Sequence, residues 1–410
     1  MHAFKQLLNL LFLVSLFAFV ACRDSLDTSG HHEWLPGDTA QTLTFVYMIA
    51  ENSLDSYATS DLNEMFSAAT DIPDDCYMIA FVDDRRMPRV CRFYNDDGSA
   101  VCDTVYSFAS DFCASDTTYM RTVFNMVLER YTAKEMNLVL WSHGSGWINE
   151  HKTLARQRSI GIDNGYNGFD NSSVKAIEIP ELSSFISSLP VKPQLLMFDA
   201  CFMQNVEVAY ELRNCVDYIL ASPAEIPGDG APYHKMVSAF FAHPLNVEEV
   251  MKSYYNEYKA SANGGVILSV VDCKEMDALA RSTAQYVPEY FSPFSENNYN
   301  TVFSYLPGGY FPYGRPFYPD FFDVNSAMRQ FLSADDYAAW KMALETAVPY
   351  KCASSSWYSA PHRAEYAVDR DVYSGIAMYI PQNVSKYKLY NDDFSKTSWY
   401  AASGWGQAGW

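Results

Sequence analysis

Two stretches of this 410-residue sequence end an apolar run on a residue able to do chemistry. "LVLWSHGSGW" sets His143 after a strand-like run, with Gly144 and Gly146 leaving room for close backbone approach, and "LLMFDACFMQN" sets Cys201 in the same place on another run. In open α/β sheets catalytic groups collect at the carboxyl ends of strands, which favours these two residues over the other histidines and cysteines. A thiol between a strand end and a helix start is expected to have its thiolate favoured by the helix dipole and by free N–H groups. An imidazole nearby can take the thiol proton and return it to a leaving amine, while the N–H groups of Gly144 and Cys201 receive the oxyanion. The plain reading of each residue alone is a buried, inert thiol and a hydrogen-bonded interior histidine.

The elements that must position them alternate. "LTFVYMIA" reads as a buried strand, followed by a helix over "SYATSDLNEMFSAA" with Leu62, Phe66 and Ala69 on one face. "YMIAFVDD" is a second strand, and "RVCRFYNDDGSAVCDTVYSF" a hairpin whose turn on Asp96 and Asp97 would set Cys91 opposite Cys102, close enough for a disulfide. "TYMRTVFNMVLERYTA" is a helix through Met120, Val123, Phe124, Val127 and Leu128, "IEIPELSSFISSL" another, and "FMQNVEVAYELR" a third directly after Cys201. "DYILASPAEIPGDG" is a strand running into a loop. Apolar strands alternating with helices predict an α/β fold, a three-layer sandwich with a mostly parallel sheet flanked by helices.

The chain divides into a signal segment at 1–21, a linker at 22–39, a catalytic core at 40–233 and a C-terminal α/β extension at 234–410 packed on that core. "MHAFKQLLNLLFLVSLFAFVAC" has a basic residue, a short apolar run and a small residue before Cys22, the pattern of an export signal. "FVAC" resembles a bacterial lipobox, so Cys22 is the expected lipid-bearing residue of a protein anchored in the cell envelope and facing the periplasm or exterior. The remaining eight cysteines are too sparse for a disulfide-built fold, and 49% apolar residues give ample material for a core. A net charge of −20, spread along the chain, argues against nucleic-acid partners.

With "AENSLDSYATSDLNEM" upstream and "ASPAEIPGDGAPY" downstream, "HGSGW" and "DACFM" resemble, in order, the motifs of the clostripain family of cysteine peptidases. The resemblance spans about Thr42 to Tyr233, with a weaker echo at "GIAMYIP", and implies a caspase-like fold. It also implies Cys201 as nucleophile, His143 as general base and acid, Gly144 in the oxyanion hole, and cleavage of peptides or proteins after arginine or lysine. A guanidinium needs carboxylates, for which Asp199 and Asp229 are the candidates. Asp199 has a cap on the following helix as its alternative, and Asp229 an ordinary turn. "SPAE" is less acidic than the family's loop, which bears on how strict the basic preference is.

Some members are activated by cleavage in the loop after the histidine. Lys152, Arg156 and Arg158 in "EHKTLARQRSIGIDN" are the candidate positions, and a plain solvated loop is the alternative. No cofactor is required by the sequence and no metal site is assigned. Calcium is reported for some relatives, but "GIDNGYNGFDN" lacks the EF-hand spacing despite its acidic and amide oxygens. "HGSGW" is not a Gly-x-Ser-x-Gly elbow, and no His-Glu-x-x-His is present, which sets aside serine and zinc hydrolases. The rival from another class is a catalytically idle surface lipoprotein binding peptides or glycans; 30 tyrosines do not decide for it, since aromatics also fill cores.

Overall fold

The computed structural model describes residues 39–148, 160–165, 176–259, 264–306, 309–310, 316–317, 321–360, 362–384 and 387–410. A nine-stranded sheet runs through its centre. Its first seven strands in chain order are β1 (Ala40–Ile49), β2 (Cys76–Asp83), β3 (Arg89–Asp96), β4 (Ser99–Ser107), β5 (Ala133–Trp141), β6 (Leu195–Asp199) and β7 (Tyr218–Ala221). Two more, β8 (Ile267–Asp272) and β9 (Tyr350–Ala353), come from the C-terminal part. The spatial order is β9-β8-β7-β6-β5-β1-β2-β3-β4. β2, β1, β5, β6 and β7 are parallel, and antiparallel strands close both edges. Each central strand is a continuous apolar run because both faces are covered.

On one face Phe45 and Tyr47 of β1 meet Phe124 of α2 (Thr117–Arg130), which meets Phe185 of α3 (Ile179–Ser187). On the other, Val46, Met48, Val139, Trp141 and Met197 pack with residues of α1 (Asp55–Ser67), α5 (Tyr233–Phe240) and α6 (Val247–Tyr258). The result is the expected three-layer sandwich. Beside α3 lies α4 (Val206–Leu212), the short helix that follows β6 in sequence, with the Ser183 hydroxyl donating to the Glu211 carbonyl.

Several local expectations are corrected. Residues 39–410 form one compact unit, and the part beyond 233 completes the sheet with β8 and β9 as well as packing on it. α1 buries Ala58, Asp61 and Met65, leaving Phe66 43% exposed, so its inward face is turned by one residue from the expected stripe. The hairpin turns on Asp97 and Gly98, both at positive φ, which is what a two-residue loop matched to strand twist requires. That register pairs Cys91 with Thr104 and Cys102 with Phe93, and both thiols are free. "YSGIAMYIPQN" contributes only a two-residue strand, Ala377–Met378, outside the main sheet.

Candidate active site

The chain leaves β1 in opposite directions, through β2 on one side and later through β5 and β6 on the other, so strand order reverses between β1 and β5. The crevice at the carboxyl ends there is where open α/β sheets bind ligands. β5 and β6 pair with Trp141 opposite Asp199, and the ladder continues as the Ser142 N–H donates to the Asp199 carbonyl at 3.4 Å. His143 and Cys201 each lie two residues beyond that pair, on the face that carries Val139, Trp141, Leu195 and Met197. The two ends touch: a Cβ on Gly144 would sit 2.6 Å from the Cys201 carbonyl oxygen. Only glycine allows that approach.

No hydrogen bond joins imidazole and thiol among the described residues. The His143 Nε2 meets Ser53 Oγ at 2.8 Å, and the Cys201 sulfur accepts from the Ile226 N–H at 3.5 Å. Burial, then the charges of Glu225 and Asp199, push the thiol up to about 12, and burial holds His143 below its usual 6.5. At neutral pH both groups are therefore uncharged. This corrects the expected thiolate at a helix start. Phe202 takes a left-handed φ of 61°, Phe202 and Gln204 donate their N–H groups to Ala224 and Ser222, and α4 begins only at Val206 under an Asn205 cap.

Asp199 is consequently not a helix cap. It is 3% exposed and accepts from the Ala231 N–H at 3.1 Å, the Tyr233 hydroxyl at 3.1 Å and the Tyr254 hydroxyl at 3.4 Å. Gly230, at φ +61°, allows that loop to close, since a Cβ there would come within 3.1 Å of the carboxylate. Asp61 of α1 is buried nearby and accepts from the Trp141 indole N–H at 2.6 Å. Burial raises both carboxyls; the Asp199 charge raises Asp61 further, and Asp229 adds to it. Asp229 itself is exposed, in a turn closed by the Gly230 N–H to the Pro227 carbonyl at 3.0 Å. Two buried acids and one exposed acid thus lie close enough for their charges to act on one another, and the Asp199 charge also reaches Cys201.

Ser53, Asp61 and Glu225 were not singled out by the sequence. Asp61 carried a signal, a charged residue at helical spacing between Ala58 and Met65; Ser53 and Glu225 meet the site only through the fold. Cys22, Lys152, Arg156 and Arg158 lie outside the described residues, as does most of "GIDNGYNGFDN". Its described Asp163 is buried and accepts from the Ala114 and Gly165 N–H groups.

The profile of the clostripain family matches residues 46–410. A secreted C11 cysteine protease from Bacteroides thetaiotaomicron, solved with an irreversible peptide inhibitor, is similar over 89% of this chain and 99% of its own, with 27% identity and a TM-score of 0.75. An inactive zymogen C11 protease from Parabacteroides distasonis shares the fold at 23% identity and TM-score 0.75, over 89% of this chain and 98% of its own. No curated protein matches.

Proposed function

The chain belongs to the clostripain family and is a cysteine peptidase with a caspase-like fold, and we propose that it is an exported endopeptidase cleaving after arginine or lysine. Cys201 is the nucleophile, His143 the base and acid, and Asp199, Asp61 and Asp229 receive the basic side chain. The observation that carries the specificity is the buried Asp199 carboxylate, two residues from the thiol and beside Asp61. Buried acids, one of them raised further by the other's charge, are suited to a guanidinium or ammonium that brings the missing positive charge.

The Cys201 sulfur attacks the scissile carbonyl as its proton passes to His143, and the N–H groups of Gly144 and Cys201 receive the oxyanion. His143 then gives the proton to the departing amine, and water hydrolyses the thioester. A neutral thiol is a poor nucleophile, and the Asp199 charge is one of its causes. A substrate cation on Asp199 offsets that charge, so a basic side chain both anchors the peptide and favours the thiolate.

The test compares Arg, Lys and Ala peptide reporters. Wild type is expected to favour the basic ones, and Cys201→Ala to lose at least about a thousand-fold in turnover. Equal turnover by wild type and Cys201→Ala would remove Cys201 from the mechanism. Export and lipidation at Cys22 belong to the same proposal; no helix among the described residues is long and apolar enough to cross a membrane. Cys22→Ser should move the protein from the membrane fraction to the soluble one, and retention in the membrane would exclude the anchor. Cleavage at Lys152, Arg156 or Arg158 should appear as a gel shift in wild type that Cys201→Ala lacks.

A further inference from the structure

Glu225 lies beside the nucleophile, and the chemistry of the dyad gives it no part. The residues on either side of it both bond to the Cys201 segment: the Ala224 carbonyl accepts from the Phe202 N–H at 3.0 Å, and the Ile226 N–H donates to the Cys201 sulfur at 3.5 Å. Glu225 is thereby fixed next to the thiol, at 8% exposure, on the segment that goes on to carry Asp229 and the Ala231 N–H held by Asp199. Against it lie Ser359 and Ala360, at the bend of a hairpin formed by Ser356–Ser359 and Ala364–Ala367. Both are neutral, and no cationic side chain among the described residues pairs with Glu225.

A buried carboxylate ordinarily has a cation against it. Asp84 shows the internal solution in this same chain, accepting from Arg86 at 2.7 Å and Arg89 at 2.8 Å. Glu225 has no such partner, and its charge falls on the nucleophile. After burial it is the largest influence that keeps the proton on Cys201, ahead of Asp199. In the free protein this carboxylate therefore works against the thiolate that catalysis needs. A basic side chain that reaches Asp199 relieves the lesser of the two charges and leaves the greater in place.

We propose that Glu225 receives a second positive charge from the substrate, which makes the protein a peptidase for paired basic residues. This rests on Cys201 as nucleophile and on Asp199 as acceptor of the first arginine or lysine. The second cation is a basic side chain next to the scissile bond, on one side or the other, because Glu225 sits at the thiol that attacks there. With both carboxylates paired, neither opposes passage of the thiol proton to His143, so recognition of the peptide and activation of the nucleophile become one event. Glu225 is then a specificity-determining residue and takes no proton itself.

The test uses the full-length protein at pH 8, where Glu225, raised by burial to about 7, is charged. Peptides keep Arg before the scissile bond and vary Ala, Arg and Glu at the position preceding that Arg and at the position after the bond; a further peptide has Ala in place of the fixed Arg. Wild type should raise kcat/KM at least about tenfold when Arg replaces Ala at one of the two varied positions, and fall below the Ala peptide with Glu there. Glu225→Gln should shrink that gain to less than about twofold while keeping the preference for the fixed Arg, which belongs to Asp199. Alkylation of Cys201 by iodoacetamide, followed by mass spectrometry of the peptide that carries it, needs no turnover. It should run at least about threefold faster in E225Q than in wild type, because the neighbouring charge no longer opposes the thiolate. A wild type that cleaves after the fixed Arg yet gains nothing from a second overturns this proposal alone, and one that ignores the fixed Arg as well overturns the specificity reading beneath it. Alkylation no faster in E225Q overturns the role of Glu225 equally. Should E225Q fail to fold, the wild-type peptides decide by themselves, since absence of a gain from the second Arg is enough to overturn the proposal.

Discussion

Asp199 and Asp83 occupy matching places, the last residues of two parallel strands, buried beside other acids, yet their surroundings differ in kind. Asp199 is met by a backbone N–H and two tyrosine hydroxyls, with the exposed Asp229 near its group. Asp83 has no donor among the described residues and lies with the buried Glu51 and the half-buried Asp111. The first arrangement is orientated by its donors, which suits the proposed organic cation that arrives and departs with a peptide. Carboxylates are therefore buried at strand ends twice, and the two sites differ in the donors around them.

The sharpest way to break this contrast is to neutralise one acid from each group. Asp199→Asn should cut kcat/KM on Arg reporters about 100-fold, since removing one partner of a buried charge pair costs about 2–5 kcal/mol, and should change Ala reporters far less. Asp83→Asn should leave the ratio of Arg to Ala turnover unaltered. If D83N shifts that ratio as D199N does, the two groups are a single electrostatic unit. Asp61→Asn should follow with about a tenfold loss confined to basic reporters, because Asp61 keeps its indole partner and supplies charge from the wall of the pocket.

Stability against pH sharpens the same contrast. Asp61, Asp199 and Asp83 all have folded pKa values raised above the unfolded range, so the native state binds more protons than the unfolded chain between about pH 4 and their folded values. Stability is then greatest at the acidic end of that window and falls as pH rises through it. The peptide-free protein should melt several degrees higher at pH 5.5 than at pH 8, by about 1–3 kcal/mol. Asp61→Asn should flatten part of that slope, and Asp83→Asn another part. A melting point that falls on acidification would contradict the raised values in both groups.

What the sequence made legible follows how locally each feature is encoded. The central strands were readable because a strand covered on both faces must be apolar throughout, and the placing of His143 and Cys201 at neighbouring strand ends because each follows such a run directly. α2 buries Met120, Val123, Phe124 and Val127 as its spacing demanded. The start of α4 was misplaced because it depends on the left-handed Phe202 and on pairing of 202–204 with 222–224, contacts made across the fold. Asp61 was passed over because the stripe Leu62–Phe66 looked more apolar than the face that is buried. β9 went unread because its short, polar sequence becomes a strand only beside β8.

The smallest expected effect concerns the residue between the two groups. Ser53 follows Glu51 in the β1 connection and touches His143, so it links the two acidic groups' surroundings physically. Burial alone accounts for the lowered imidazole pKa, so the acid limb of kcat/KM should have its midpoint below 6.5; only the neutral ring can take the thiol proton. Ser53→Ala removes an orienting contact and no charge. It should lower kcat about threefold, within what a lost neutral hydrogen bond costs, and leave that midpoint in place. A midpoint that moves would make Ser53 part of the titrating unit, whereas a kcat loss with a fixed midpoint identifies it as the strut on which the imidazole rests.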